Sequence, residues 1–421
     1  MNEQQALTPL AAGGLLDRRA FLQRSLSFSV ATLVSSEALA TPENGREPWM
    51  EKPGAPFSNY GEPAAHERHV IRWTMVNDKA LGNGVSWTPL QNLEGIFTPN
   101  GLHFERHHNG VPQIDPKQHK LLIHGLVNNS LVFTLEDLLR YPMHSCYCFL
   151  ECGGNSNAAW HSEPIQTAVG YFHGMASCSE WTGIPLKLLL DEAQVKGRAK
   201  WLIVEGADAS MMQVSIPLDK ALDDCLLALY QNGERIRPEN GYPMRLIVPG
   251  WEGVLNVKWV RRIHLAAQPV MARNETAKYT ELLPSGKARQ FTYVMEVKSL
   301  ITQPSFGYKL PQPGIYQITG LAWSGRGKIA KVEVSADGGK TWLEAELQEP
   351  VLSKCFTRFR IPWQWQGQEA ILQSRATDET GARQPAREHL LAARGQHGYF
   401  HYNAIVSWEI SAQGEIKHVY A

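Results

Sequence analysis

Apolar and polar positions alternate with a period of two along Tyr316-Gln317-Ile318-Thr319-Gly320-Leu321-Ala322-Trp323 and along Ile329-Ala330-Lys331-Val332-Glu333-Val334-Ser335, the pattern of strands that bury one face. Asp337-Gly338-Gly339 then supplies the residues of a hairpin turn before Thr341-Trp342. Residues 373–377 and 404–410 read as further strands. Short strands separated by turn signals predict an all-β, immunoglobulin-like sandwich over 289–421. The preceding stretch, 95–288, has a different texture. Lys120-Leu121-Leu122-Ile123-His124-Gly125 reads as a strand closed by glycine, and Trp201-Leu202-Ile203-Val204-Glu205 and Arg245-Leu246-Ile247-Val248 read as buried strands. Thr134, with Asp137 three residues on, marks a helix start, and Pro185 opens a helix running to Ala193. Strands and helices without regular βαβ repetition predict an α+β domain. Residues 41–94, which begin rich in Pro, Gly and Glu, read as an N-terminal arm, and the chain has no internal repeat or low-complexity segment.

The length of 421 residues fits this division, since a domain takes about 100–200 residues. Lys plus Arg and Asp plus Glu both total 41, and this zero net charge argues against nucleic acid as the main partner. The first 40 residues read as a signal peptide. Asp17-Arg18-Arg19-Ala20-Phe21-Leu22-Gln23 carries a twin-arginine pattern, residues 26–34 form a short uncharged apolar run, and Ala38-Leu39-Ala40 is a small-x-small cleavage site. No later stretch is apolar enough to span a bilayer, so the expectation is a soluble periplasmic protein exported folded, a route that suits a protein loaded with a complex cofactor.

Six cysteines, Cys146, Cys148, Cys152, Cys178, Cys225 and Cys355, lack the dense spacing of a disulfide scaffold, and whether any pair is left open. No C-x-x-C-H is present, so no haem is expected on this chain and electrons would have to leave through another subunit. Among the six, Cys152 stands out in Phe149-Leu150-Glu151-Cys152-Gly153-Gly154-Asn155. An apolar strand runs into a soft thiolate ligand, and the glycines let a bulky group approach the backbone. By residue type alone an inert buried cysteine fits equally well. A zinc site with Cys146 and Cys148 would need a second ligand pair of similar spacing, which the sequence lacks.

Five segments, in order over about 95–410, resemble the sulfite oxidase family of molybdenum enzymes. Phe104-Glu105-Arg106-His107-His108, followed by Val111-Pro112 and Asp115-Pro116, resembles its arginine-histidine segment, and Glu151-Cys152-Gly153-Gly154-Asn155 its metal-ligand motif. Gly241-Tyr242-Pro243-Met244-Arg245-Leu246-Ile247-Val248-Pro249-Gly250 with Asn256-Val257-Lys258-Trp259-Val260 resembles its pterin-binding strand. Lys278-Tyr279 with Leu283-Pro284 is similar to its active-site tyrosine region, and Ala322-Trp323-Ser324-Gly325 with Val334-Ser335-Ala336-Asp337-Gly338-Gly339 to its second domain. Thr98-Pro99-Asn100-Gly101-Leu102-His103, Ala288-Arg289-Gln290-Phe291-Thr292 and His418-Val419-Tyr420-Ala421 look specific to the sulfane-dehydrogenase branch.

The resemblance implies a molybdenum–molybdopterin cofactor with Cys152 as the metal's protein ligand. It implies Arg106, His107, His108, Arg245 and Lys258 as cofactor-binding residues, with Tyr279, Arg106 and His108 in catalysis. Tyr279 would face the metal, Arg106 would set positive charge beside an anionic substrate, and Arg245 and Lys258 would bind the pterin phosphate. By residue type alone, each also reads as an ordinary core tyrosine, structural histidine or surface charge. Partners implied are a c-type cytochrome subunit, a sulfur-carrier protein, and a second copy of this chain within a heterotetramer. Sulfite-oxidising members carry an arginine just after the Cys-x-Gly-Asn run, where this chain has Ser156 and Asn157. That departure favours sulfane sulfur held on a carrier protein over free sulfite. A free-sulfite dehydrogenase, a reductase using the same cofactor, and a binding module that lost the cofactor are the alternatives.

Overall fold

The structure, a computed structural model, describes residues 12–16, 48–53, 55–396 and 398–421, so of the export signal expected over 1–40 the twin-arginine pattern, the apolar run and the cleavage site, at 17–40, lie outside the described residues. Of the segment before it, Leu15 is buried in the core of the second domain and Leu16 donates its amide to Pro362 O at 2.8 Å.

The chain opens with an antiparallel ribbon of β1 (Trp73–Val76), β2 (Gly84–Trp87) and β3 (Glu105–His107). Among its described residues, the arm expected over 41–94 carries no strand before Trp73. From Trp73 it folds back, because Trp73 and Trp87 find a third aromatic partner in Tyr171.

The next strands are β4 (Lys120–Gly125), β5 (Leu131–Thr134), β6 (His144–Glu151), β7 (Ala176–Pro185), β8 (Trp201–Gly206), β9 (Gln213–Pro217), β10 (Leu226–Gln231), β11 (Glu234–Arg235), β12 (Arg245–Ile247) and β13 (Val260–Ala266). They form two sheets. One has the order β5-β4-β13-β8-β9, with β4 and β13 parallel, and the other β11-β10-β7-β6, with β12 also on β10. A shared core that includes Leu121, Ile123, Leu202, Leu227 and Leu246 joins the two sheets, and the helix Leu186–Ala193 adds Leu189 and Leu190. The helix begun by Thr134 has the expected reciprocal cap with Asp137 but runs only over Leu135–Leu138, since Pro142 lies just beyond. This is the α+β domain read from the sequence.

A small ribbon, β14 (Glu281–Leu282) with β15 (Ala288–Arg289), leads to the second domain. Its strands are β16 (Lys298–Gln303), β17 (Gly314–Trp323), β18 (Ile329–Ser335), β19 (Leu343–Glu344), β20 (Glu346–Leu347), β21 (Thr357–Trp365), β22 (Ala370–Asp378), β23 (Ser407–Ile410) and β24 (Ile416–Val419). Two sheets, β16-β17-β21-β20 and β19-β18-β22-β23-β24, enclose Ile318, Val332, Val334 and Phe359 with Trp323, Trp363 and Trp408, completing the predicted sandwich. The domains touch closely enough that a side chain on Gly325 would meet Gly250 O at 2.0 Å. All six cysteines are free, and the Cys178 and Cys355 thiols face each other across the junction at 3.1 Å.

Candidate active site

Four separate parts of the first domain turn toward one cavity, which together with its opening to solvent encloses about 710 Å³. Strand β3 and its end deliver Arg106, His107 and His108; the residue after β6 is Cys152; β12 and the run before β13 deliver Arg245 and Lys258. Tyr279, just past the helix Arg273–Ala277, completes the set. All seven residues singled out from the sequence therefore line one space. A wider cleft adjoins it, walled by Met75, Val76, Tyr171, Phe172, Tyr399 and Phe400. Cavity and cleft share Arg106, His108, Cys152 and Tyr279, whereas His107, Arg245 and Lys258 belong to the inner cavity alone.

Local geometry explains each placement. Cys152 donates its amide to Met175 O and accepts from the Asn155 amide, both at 2.9 Å, so the chain turns sharply after β6. Gly153 leaves room there for the Glu252 carboxylate, since a Cβ would lie 1.8 Å from Glu252 Oε1 and push that side chain aside. Lys258 is aimed inward by its neighbour. Trp259 adopts a left-handed φ of 54°, held by its indole N–H on Pro238 O at 2.9 Å. Such strain in a bulky residue costs about 1–3 kcal/mol and marks functional positions.

The inner cavity carries three basic side chains, Arg106, Arg245 and Lys258, against two carboxylates, Asp208 and Glu239. Arg245 donates to Asn256 O at 3.1 Å and Asn240 O at 3.0 Å, and its guanidinium lies over the Trp181 ring. Lys258 donates to Arg106 O at 3.2 Å, Glu239 O at 3.1 Å and His107 Nδ1 at 2.8 Å. Receiving at Nδ1, His107 gives its Nε2 proton to Glu105 at 2.8 Å, and Glu105 is paired with Arg72. Arg106 donates to Gly84 O and His107 O. The hydrogen-bond partners of Arg106, Arg245 and Lys258 among the described residues are carbonyls and an imidazole, with no carboxylate. Burial pulls Arg245 down to about 9 and holds Lys258 well below the usual lysine range, where the Arg245 charge adds to the effect.

At the shared mouth the titratable groups are held protonated or neutral. Burial pushes the Cys152 thiol up to about 11, against the Gly154 N–H and Arg106, which favour the thiolate. Burial, with Cys152 and Glu252 nearby, keeps the Tyr279 phenol protonated, 3.4 Å from His108 Nε2. Burial and Arg106 lower His108 to about 4.

Burial also depresses His103, to about 3, and His418, to about 4, from an ordinary 6.5. A depressed pKa means the unfolded chain takes the proton first. Stability is then full above about 6.5 and falls with pH, by up to about 1.4 kcal/mol per unit for each histidine, until the folded values are reached. The melting temperature is expected to drop between about pH 6.5 and 4.5, and His418→Gln is expected to flatten that slope. An unchanged slope in the variant would show that His418 is not held neutral.

Sequence reading did not assign Asp208, Met212, Glu239 and Asn240, which also line the cavity. They sit in polar loops with no periodicity. The one available signal was Asn240, which precedes Gly241 at the start of the quoted strand segment.

Comparison with known proteins agrees with this arrangement. Family models match residues 108–274 as an oxidoreductase molybdopterin binding domain and residues 289–408 as a Mo-co oxidoreductase dimerisation domain. The mitochondrial sulfite oxidase of Mus musculus is 32% identical over 273 residues, covering 61% of this chain and 50% of that protein. Nitrate reductase [NADH] 1 of Arabidopsis thaliana is 32% identical over 313 residues, covering 66% of this chain and 34% of that protein. The chain thus spans half or less of these two relatives. Among solved structures, the sulfane dehydrogenase SoxCD from Paracoccus pantotrophus superposes with a TM-score of 0.87 at 43% identity, covering 90% of this chain and 98% of that one.

Proposed function

Because the chain belongs to the sulfite oxidase family of molybdopterin-binding oxidoreductases, we propose that it is the molybdenum subunit of an exported sulfane dehydrogenase, acting on sulfur held by a carrier protein and passing electrons to a c-type cytochrome. One observation carries this reading. The four residues shared by cavity and cleft are the thiol, the arginine, the histidine and the tyrosine that the chemistry needs, with the inner chamber that holds Arg245 and Lys258 behind them.

The residues fit the cofactor. Arg245 is buried and Lys258 partly buried, and among the described residues neither hydrogen-bonds a carboxylate, a costly arrangement that a phosphate would relieve. When bound, the cofactor supplies two-electron redox chemistry at molybdenum. Cys152 would hold the metal as thiolate, so binding releases the proton that burial otherwise keeps on its Sγ. Arg245 and Lys258 would hold the pterin phosphate, with His107 fixing the lysine. Arg106 would place charge beside the anionic sulfur. The Tyr279 hydroxyl, kept protonated, would donate toward the substrate, and neutral His108 would take one of the two protons that the water gives up. Each turnover adds one oxygen atom from water to the outer sulfur, releases two protons and sends two electrons, singly, to the cytochrome.

Two features favour tethered sulfur. Of the two residues that stand just after the Cys-x-Gly-Asn run, Ser156 points its hydroxyl inward to His173 at 2.6 Å and Asn157, which lines the cleft, is uncharged, so neither adds charge at the mouth. The cleft is broad, and its walls mix apolar side chains such as Met75, Tyr171 and Phe172 with polar ones such as Asn77, Asp78, Lys79 and Lys278, a surface that suits a peptide carrying the sulfur better than a small hydrated dianion. The twin-arginine pattern at Arg18-Arg19 supports a periplasmic site, and the match to a dimerisation domain supports pairing of two copies within a heterotetramer.

The test is cytochrome c reduction by the molybdenum-loaded protein, with carrier-bound sulfane and free sulfite run side by side. The expected kcat/KM is at least about tenfold higher for the carrier, a difference of about 1.4 kcal/mol in transition-state binding. Equal or better turnover of sulfite would overturn the substrate and make the protein a sulfite dehydrogenase.

A further inference from the structure

Directly behind Cys152 lies a buried polar network that no step above uses. Glu151, the residue before Cys152, is 1% exposed, and Lys298, which opens β16 in the second domain, is also 1% exposed. The Lys298 ammonium donates to Glu151 Oε1 at 3.0 Å and to Ser156 Oγ at 2.7 Å. It therefore grips the residue before the thiol and the fourth residue after it. Glu151 also accepts from the Trp323 indole at 2.7 Å and from Asn155 Nδ2 at 2.9 Å, and Asn155 Oδ1 takes the Met175 amide at 3.1 Å. Ser156, receiving from the ammonium, gives its own proton to His173 Nδ1 at 2.6 Å. Ser156 also sits at φ 65°, a left-handed conformation that a serine adopts only where its surroundings hold it.

Stability alone does not account for this arrangement. Withdrawing a carboxylate and an ammonium from water costs several kcal/mol each, and a well-packed apolar pair in the same space often does as well or better. What the pair supplies is direction. Two of the groups, Lys298 and Trp323, come from the second domain, while the loop 151–156 comes from the first. His401 adds a third hold from that side, donating its amide to Gly153 O at 2.8 Å.

We propose that Lys298 is a positioning residue for Cys152: through Glu151 and Ser156, the second domain sets where the thiol points, so that seating the cofactor depends on an interdomain contact. The inference rests on Cys152 being the metal's ligand.

The experiment compares full-length wild type with Lys298→Gln and Ser156→Gly, each isolated with cofactor and from a host that cannot make it. The serine variant removes one arm while relieving the left-handed φ, so its fold is expected to survive even if loss of the lysine disrupts folding. Three quantities are read: molybdenum per chain after gel filtration, the electron paramagnetic resonance spectrum of the half-reduced metal, and the rate at which iodoacetamide alkylates Cys152 in the cofactor-free chain. Lys298→Gln is expected to lower retained molybdenum by about 10-fold. It is also expected to shift the spectrum and speed alkylation, and Ser156→Gly should move all three the same way by less. Folded variants with wild-type retention, spectrum and alkylation would overturn the proposal and leave the network a packing feature. Failure of the underlying reading looks different: Cys152→Ser itself would keep its molybdenum.

Discussion

Cys152→Ser is expected to leave the fold intact and abolish turnover, with molybdenum retention falling by more than the roughly 10–100-fold typical of losing an outer partner of a metal site. Serine offers a hard hydroxyl that stays protonated where a soft thiolate is needed, so both affinity and the electronic match to the metal are lost. The fold should survive because the thiol lines the cavity at the edge of an apolar cluster, where a serine of nearly the same size fits, and its neighbours hold the loop through the backbone. The Cys152 amide bonds Met175 O and its carbonyl takes the Asn155 amide, and neither contact uses sulfur. The cofactor-free variant should therefore melt within about 0.5 kcal/mol of wild type. Metal analysis, turnover and thermal melting on the same preparation separate the cases. Wild-type turnover with one molybdenum per chain would remove Cys152 from the metal.

Much of this was readable in the chain itself. The strands at 120–125 and 329–335 have the expected bounds, because alternation and terminal glycine or turn residues act locally. The seven candidate residues were picked out by their segments, and folding brings them to one cavity from separate stretches between 106 and 279. What escaped needed partners far along the chain. Lys298 and Glu151 are separated by 147 positions, and nothing in Val297-Lys298-Ser299 marks that lysine as buried. Lysines are almost never fully buried unless paired, and a pair is invisible to local pattern. The hairpin at 73–87 was read as part of an arm because its stabilising aromatic, Tyr171, lies in another segment. Position 156 changed meaning as well. From the sequence, its serine is a missing charge beside the substrate. In the fold it belongs to the buried network, and the cleft walls now bear on substrate size.

Arg245→Met separates a ligand-binding cation from a structural one, because the two roles predict opposite signs. In the cofactor-free protein Arg245 is buried with two carbonyl hydrogen bonds and an aromatic face among the described residues, close to a second basic side chain, the partly buried Lys258. Withdrawing the guanidinium from water costs several kcal/mol, and the two carbonyl bonds return about 1 kcal/mol each. Replacing it by an apolar side chain of similar length should therefore stabilise the cofactor-free chain, by about 1–3 kcal/mol. Loading should respond the other way. A guanidinium held in place by carbonyls can meet a phosphate with charge-assisted bonds worth about 1.5–3 kcal/mol each, so the variant should retain cofactor about 100-fold less well. Thermal melting of the cofactor-free chain and pterin fluorescence released on denaturing the loaded chain measure the two effects separately. A variant that melts lower and still carries wild-type pterin would make Arg245 a structural residue and send the phosphate to Lys258 and Arg106. A variant that melts higher and arrives empty would identify the inner chamber as an anion site whose cost to the fold is offset only when the cofactor is in place.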